Sequence, residues 1–111
     1  MEYDEGTRFF PALINDKKMY EHIYKVASLI LGKDKVLLAE PTMAGEDFSF
    51  YLEEIPGAML NLGVGSKNKN DTHTFHSPYF SLDEDTLALG AAINAAIAEM
   101  YIESAPPVTS L

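Results

Sequence analysis

Lys35-Val36-Leu37-Leu38-Ala39-Glu40, followed by Pro41, is the stretch on which the fold class turns. Its Val-Leu-Leu run shows no polar alternation, which suits a strand buried on both faces. Pro41 stops it, because proline brings no N–H to a ladder. Upstream, Met19, Ile23, Val26, Ala27 and Ile30 recur at helical spacing through Leu31. Asn15 offers an N-cap, Asp16 a favourable first-turn charge, and Gly32 a C-terminal cap. Downstream, residues 46–54 read as a short helix with Phe48, Tyr51, Leu52 and Ile55 on one side, ended by Pro56-Gly57. Residues 58–64 (Ala-Met-Leu-Asn-Leu-Gly-Val) read as a second buried strand, and 65–72 as a polar loop. Residues 83–102 form the last helix. Ala105-Pro106-Pro107 stops it and leads into a short, disordered tail. With residues 2–10 as a short extended segment, the order is β-α-β-α-β-loop-α, and the class is α/β.

At 111 residues the chain holds one domain at most, and at 47% apolar content it is globular in composition. A net charge of -9 with scattered Lys and Arg leaves no basic stripe for phosphates, so nucleic acid is excluded as a partner. The apolar run near residues 87–97 is too short and interrupted to span a membrane, and residues 1–10 carry Glu2, Asp4, Glu5 and Arg8 where a signal peptide would be apolar. The absence of cysteine removes disulfides and Cys-type zinc sites.

Two compact segments carry chemistry. The first is His73-Thr74-Phe75-His76-Ser77-Pro78-Tyr79-Phe80. Imidazole is the commonest metal ligand near neutral pH. Pro78 stiffens the chain just after His76, and Tyr79 and Phe80 offer anchors by burial. Two readings of His76 stand, a metal ligand or an ordinary loop histidine. His73 sits in a polar approach and is less well held. His22, among Lys18, Glu21 and Lys25, reads as a surface residue. The second segment is Met43-Ala44-Gly45-Glu46-Asp47-Phe48-Ser49-Phe50. Glu46 and Asp47 are either acids at a helix start or carboxylates beside an active centre, orienting a ligand or substrate group from behind. Phe48, Phe50 and Tyr51 are expected to be core. Asp83, Glu84 and Asp85 read as partners of the last helix's N-terminus, and Asn70-Asp71-Thr72 matches a glycosylation triplet. Catalytic metal sites take about three protein ligands or more. No HExxH, CxxC or HxH spacing supplies them here.

Taken in order, Pro41-Thr42-Met43-Ala44-Gly45-Glu46-Asp47-Phe48-Ser49-Phe50-Tyr51, Ile55-Pro56-Gly57, Leu62-Gly63, His76-Ser77-Pro78-Tyr79-Phe80, Asp83-Glu84 and Leu89-Gly90-Ala91-Ala92 resemble the C-terminal part of the metal-dependent amidohydrolases. These are the aminoacylase and carboxypeptidase-like enzymes. The branch resembled is that of the auxin (indole-3-acetic acid)-amino acid hydrolases and bacterial hippurate hydrolases.

The resemblance implies a zinc-peptidase-like α/β catalytic domain interrupted by a lid or dimerisation domain. Residues 1–12 would be the end of that lid and the return crossing, 13–104 the closing portion of the catalytic domain, and 105–111 the tail. It implies two divalent metals, Mn²⁺ or Zn²⁺, in the complete enzyme, with His76 as one ligand and Glu46 and Asp47 near the site. The implied reaction is hydrolysis of the amide in N-acyl amino acids. The implied assembly is a homodimer through the lid. A plant-type member implies the endoplasmic reticulum lumen, and any other the cytoplasm. The family's remaining ligand motifs and its Glu-Glu base motif are absent, so the chain alone is expected to be inactive. A non-catalytic interaction or dimerisation module derived from the same fold is the alternative.

Overall fold

The computed structural model describes residues 10–65 and 73–105. The expected opening strand, most of the polar loop with its Asn70 triplet, and the tail beyond Ala105 lie outside the described residues. Three α-helices follow one another, α1 (Lys17–Leu31), α2 (Phe48–Glu54) and α3 (Asp85–Ser104), with a 3₁₀ turn at Lys33–Lys35.

All three expected helices form, with their starts displaced by one or two residues. Asp16, not Asn15, is the N-cap of α1, and its carboxylate accepts the Met19 N–H at 3.0 Å. Asn15 is thereby free to bind elsewhere: its Oδ1 accepts the Met59 N–H at 2.9 Å, beside an Asp16 N–H to Gly57 carbonyl bond of 2.8 Å. These two bonds pin the start of α1 to residues 57–59. At the other end Gly32 takes φ +88° and ψ 147°, while its N–H closes onto the Ser28 carbonyl. That backbone region is open to glycine almost alone. A Cβ there would also meet Asp34 Oδ1 at 2.8 Å. Gly32→Ala is therefore expected to destabilise the fold by about 1–3 kcal/mol, read as a shift in the urea midpoint at unchanged slope.

α1 and α3 pack on each other. Accessibility along α3 falls at Thr86, Leu89, Gly90, Ile93, Ala96, Ile97 and Met100, which is helical spacing. Val26 and Ala27 of α1 and Ile93 of α3 are the buried apolar residues among those described. His22 sits in this seam. Its Nε2 lies 2.9 Å from the Ile97 carbonyl, and its ring meets Tyr101 edge-on at 5.6 Å. The surface expectation for His22 is thus corrected. Its charged neighbours concealed that Met19, His22, Ile23 and Val26 share one face at i, i+3, i+4, i+7. Gly90 lets α3 approach residues 58–64, because a Cβ at that position would meet Leu62 Cδ2 at 2.9 Å.

The β-α-β pattern is where structure and expectation part. Among the described residues no strand is formed. Lys35 belongs to the 3₁₀ turn, and Leu37 and Leu38 are 84% and 80% exposed. Residues 61–65 nonetheless alternate between exposed and half-buried with the period of two that extended chain gives. The physical reason for the difference is that a strand is defined by its partner. The side-chain pattern prepares a segment for a sheet, and only a neighbouring backbone makes the ladder. Among the described residues no helix is long and apolar enough to cross a membrane.

Candidate functional site

His76 is carried by two consecutive turns. The Ser77 N–H reaches the Thr74 carbonyl at 2.9 Å, and the Phe80 N–H reaches the Ser77 carbonyl at 3.1 Å. Pro78 occupies the second position of the second turn, where its fixed φ is already correct. Ser77 Oγ accepts the Tyr79 N–H at 3.1 Å and tightens the same bend. Two ring pairs brace the loop, Phe75 with Phe80 at 5.3 Å and His73 with Tyr79 at 5.7 Å. The expectation that burial anchors Tyr79 is corrected: it is 73% exposed and contributes through its ring contact. Phe80 is half-buried. The result is an exposed imidazole at position 76 on a short, doubly hydrogen-bonded support.

The Gly45-Glu46-Asp47 turn starts α2. The Glu46 carbonyl accepts the Ser49 N–H at 3.2 Å and the Ser49 hydroxyl at 2.6 Å. Its own carboxylate accepts the Phe48 N–H at 3.3 Å. Ser49 is 1% exposed, so this hydroxyl bond satisfies a group that would otherwise be buried unpaired. Asp47 is exposed and makes no side-chain capping bond. The helix-start reading of Glu46 is therefore met in the structure, by the side chain as well as by charge. Gly45 lies under Phe10, whose ring packs on Phe50 at 5.6 Å. Phe48 stacks on Tyr51 at 6.0 Å. Of the three aromatics expected in the core, Phe48 and Phe50 are half-buried, and Tyr51 and the neighbouring Ile55 are more than 60% exposed. The core expectation is met in part by Phe48 and Phe50 and is corrected for Tyr51.

A substitution pair separates the two readings of Glu46. Glu46→Gln keeps an acceptor for the Phe48 N–H and is expected to leave stability within about 0.5 kcal/mol, while Glu46→Ala loses the cap and costs about 1 kcal/mol. Equal activity for both variants, in a longer protein that turns over substrate, would remove Glu46 from the chemistry.

The charge-cap expectation at α3 holds for Asp83. Its Oδ1 accepts the Asp85 N–H at 3.1 Å, and its carbonyl accepts the Thr86 N–H at 3.0 Å and the Thr86 hydroxyl at 2.6 Å. Glu84 makes no side-chain capping bond.

Among the described residues, no group of three or more His, Cys, Asp or Glu side chains is placed to hold a metal ion. His22 is committed to the α1–α3 seam. His76 is a single exposed donor. The residues present do not on their own fit a metal centre, and what is missing is companion ligands.

Comparison with known proteins gives the same partial picture at larger scale. The family model described as Peptidase family M20/M25/M40 matches residues 1–100. The Arabidopsis thaliana protein "IAA-amino acid hydrolase ILR1-like 6" is 38% identical over 100 residues, covering 90% of this chain and 22% of that protein. "Thermostable carboxypeptidase 1" of Saccharolobus solfataricus is 34% identical over 92 residues, covering 83% of this chain and 23% of that protein. "Putative amidohydrolase YhaA" of Bacillus subtilis is 28% identical over 99 residues, covering 89% of this chain and 24% of that protein. The chain thus spans about a quarter or less of the length of these curated relatives.

Proposed function

Since the chain belongs to the peptidase family M20/M25/M40, we propose that it works as part of a longer metal-dependent hydrolase that cleaves the amide bond of N-acyl amino acids, such as indole-3-acetyl conjugates. The observation that carries this reading is the family match over residues 1–100, and the exposed, turn-held His76 supports it as a side chain free to be presented to a metal. In this reading residues 13–104 close the catalytic domain, and residues 1–12 return from a lid through which the enzyme forms a homodimer. His76 gives one ligand to a divalent metal, Mn²⁺ or Zn²⁺, and the other ligands come from the rest of the longer protein. Such a metal supplies Lewis acidity toward the amide carbonyl. Glu46 and Asp47 stand beside the centre, where Glu46 also shapes the turn by accepting the Phe48 N–H. Compartment follows lineage, the endoplasmic reticulum lumen for a plant-type enzyme and the cytoplasm otherwise.

Apolar surface supports the reading that the chain is one portion of a larger body. α3 carries apolar residues on every side (Leu87, Leu89, Ala91, Ala92, Ile93, Ala95), a pattern of helices that are covered all round. Yet Leu87, Tyr101 and Ile102 are 58%, 50% and 72% exposed. The same open faces favour the second reading, a non-catalytic module that binds another polypeptide.

The test is a chimera in which residues 1–100 replace the matching segment of the Arabidopsis relative. Amino acid release from indole-3-acetyl-alanine and from hippurate is followed with chelator, then with Mn²⁺ or Zn²⁺ restored. Metal-dependent release is the expected result. A folded chimera that hydrolyses neither substrate under any metal leaves only the module.

A further inference from the structure

The geometry points to Phe10 as a positioning residue for the Gly45-Glu46-Asp47 turn, and through that turn for the hydrolysis proposed above. The inference rests on the hydrolase reading for the turn's place beside the metal centre, and on ring geometry for the contact. Among the described glycines only Gly32 takes a positive φ. The backbone at Gly45 is therefore open to any L residue, and what demands glycine there is space. A Cβ at position 45 would meet Phe10 Cδ2 at 3.0 Å and its Cγ and Cε2 at 3.6 Å, the three nearest atoms all belonging to that ring. The same ring meets Phe50, in the first turn of α2, with centroids 5.6 Å apart, an ordinary aromatic pair. Phe10 thus touches the chain just before Glu46 and again in α2 beyond Asp47.

Hydrogen bonds do not tie this stretch to the rest of the fold. Residues 41–45 make none among the described residues. The bonds of Glu46 and Asp47 close locally, on Phe48, Ser49 and Phe50. The ring itself is presented by a constrained backbone. Pro11 follows it and keeps residue 10 extended. Further along, the Asp16 N–H and the Asn15 side chain bind Gly57 and Met59 beyond the far end of α2. The segment from Phe10 to Asp16 therefore runs the length of α2, held by the ring at one end and by two hydrogen bonds at the other. Such a clamp fixes the turn that carries Glu46 and Asp47 without itself touching substrate. A misplacement of about 1 Å near reacting atoms costs up to about 100-fold in rate, so loss of the ring shows mainly in kcat.

The kinetic test uses the chimera that carries residues 1–100, in its metal-loaded form. Phe10→Ala is expected to lower kcat by about tenfold and to move KM by less than about threefold. Phe10→Tyr keeps the ring and should restore most of the loss. Ile14→Ala, at a position 75% exposed on the same segment, is the control and should change neither constant. Gly45→Ala drives a Cβ into the ring and should lower kcat nearly as far as Phe10→Ala. The double variant should lose no more than Phe10→Ala alone, because the atoms that the Cβ would meet are gone. In this chain by itself, Phe10→Ala should speed amide exchange at Ser49 and Phe50 by about fivefold or more, with helical circular dichroism unchanged. If that variant loses its helices, Phe10→Leu takes its place. Unchanged kcat in Phe10→Ala, an equal loss in Phe10→Tyr, losses that multiply in the double variant, or unchanged exchange at Ser49 and Phe50 overturns the assignment. An unsubstituted chimera that hydrolyses neither substrate removes the hydrolase reading, and the exchange rates then decide the clamp by themselves.

Discussion

His76→Ala, introduced into a hydrolytically active protein carrying this sequence, is expected to lower kcat/KM by about 100-fold or more and to leave the thermal midpoint almost unchanged. The two halves of this expectation have different sources. The ring is exposed and makes no hydrogen bond or ring contact within the described residues, so the fold loses nothing with it. Surface substitutions of that kind stay within about 0.5 kcal/mol. The loss of activity follows from the proposed role, because even a residue that merely supports a metal ligand is typically worth about 10–100-fold, and a ligand is worth more. The metal content of the purified variant should fall in parallel. Full activity with a full metal complement would remove His76 from the centre, and a large drop in the midpoint would show that the ring works for the fold.

The second large effect belongs to the seam between α1 and α3. Ile93 is 3% exposed and faces a neighbourhood in which Val26 is 0% exposed. Ile93→Ala removes three methyl or methylene carbons from a packed site and should cost about 2–5 kcal/mol. A protein of this size is stable by only about 5–15 kcal/mol, and few apolar residues are buried here to share the loss. In the isolated chain the urea transition followed by helical circular dichroism should therefore lose its cooperativity. In the chimera the melting temperature should fall while the activity per folded molecule is kept. Leu29→Ala, at a position 68% exposed on α1, is the control and should move neither readout by more than about 0.5 kcal/mol. Equal effects at Ile93 and Leu29 would mean that the helices do not depend on this seam.

Helices were legible in the residues because their determinants are local. The spacing of Met19, Ile23, Val26 and Ala27 builds the inner face of α1, Asp16 supplies a cap within three residues of the amide it binds, and Gly32 ends the helix by its own backbone freedom. The turn that carries His76 was legible for the same reason: Ser77 and Pro78 encode it within four residues. The choice between Asn15 and Asp16 as cap was not local. It was decided by residues 57–59, which claim Asn15 from 44 positions away. The place of His22 is not local either, since only the arrival of Ile97 and Tyr101 from α3 makes it a seam residue.

Strand character in residues 35–40 and 58–64 marks the limit of sequence reasoning. Apolar runs and a period of two prepare a chain for a sheet, and the half-buried, exposed alternation of residues 61–65 keeps that preparation visible. The ladder itself is a relation between two backbones. It is absent among the described residues because neither segment pairs with the other. The same division governs the candidate site. The residue type and its rigid bend reside in six consecutive letters, from Phe75 to Phe80, whereas a metal centre needs several donors within one coordination sphere. Convergence of that kind is a property of the folded body. Local hydrogen bonds and capping free energies act over a few residues, so one stretch of chain can specify them. Ladders, seams and ligand sets join atoms distant along the chain, and only tertiary packing brings those together.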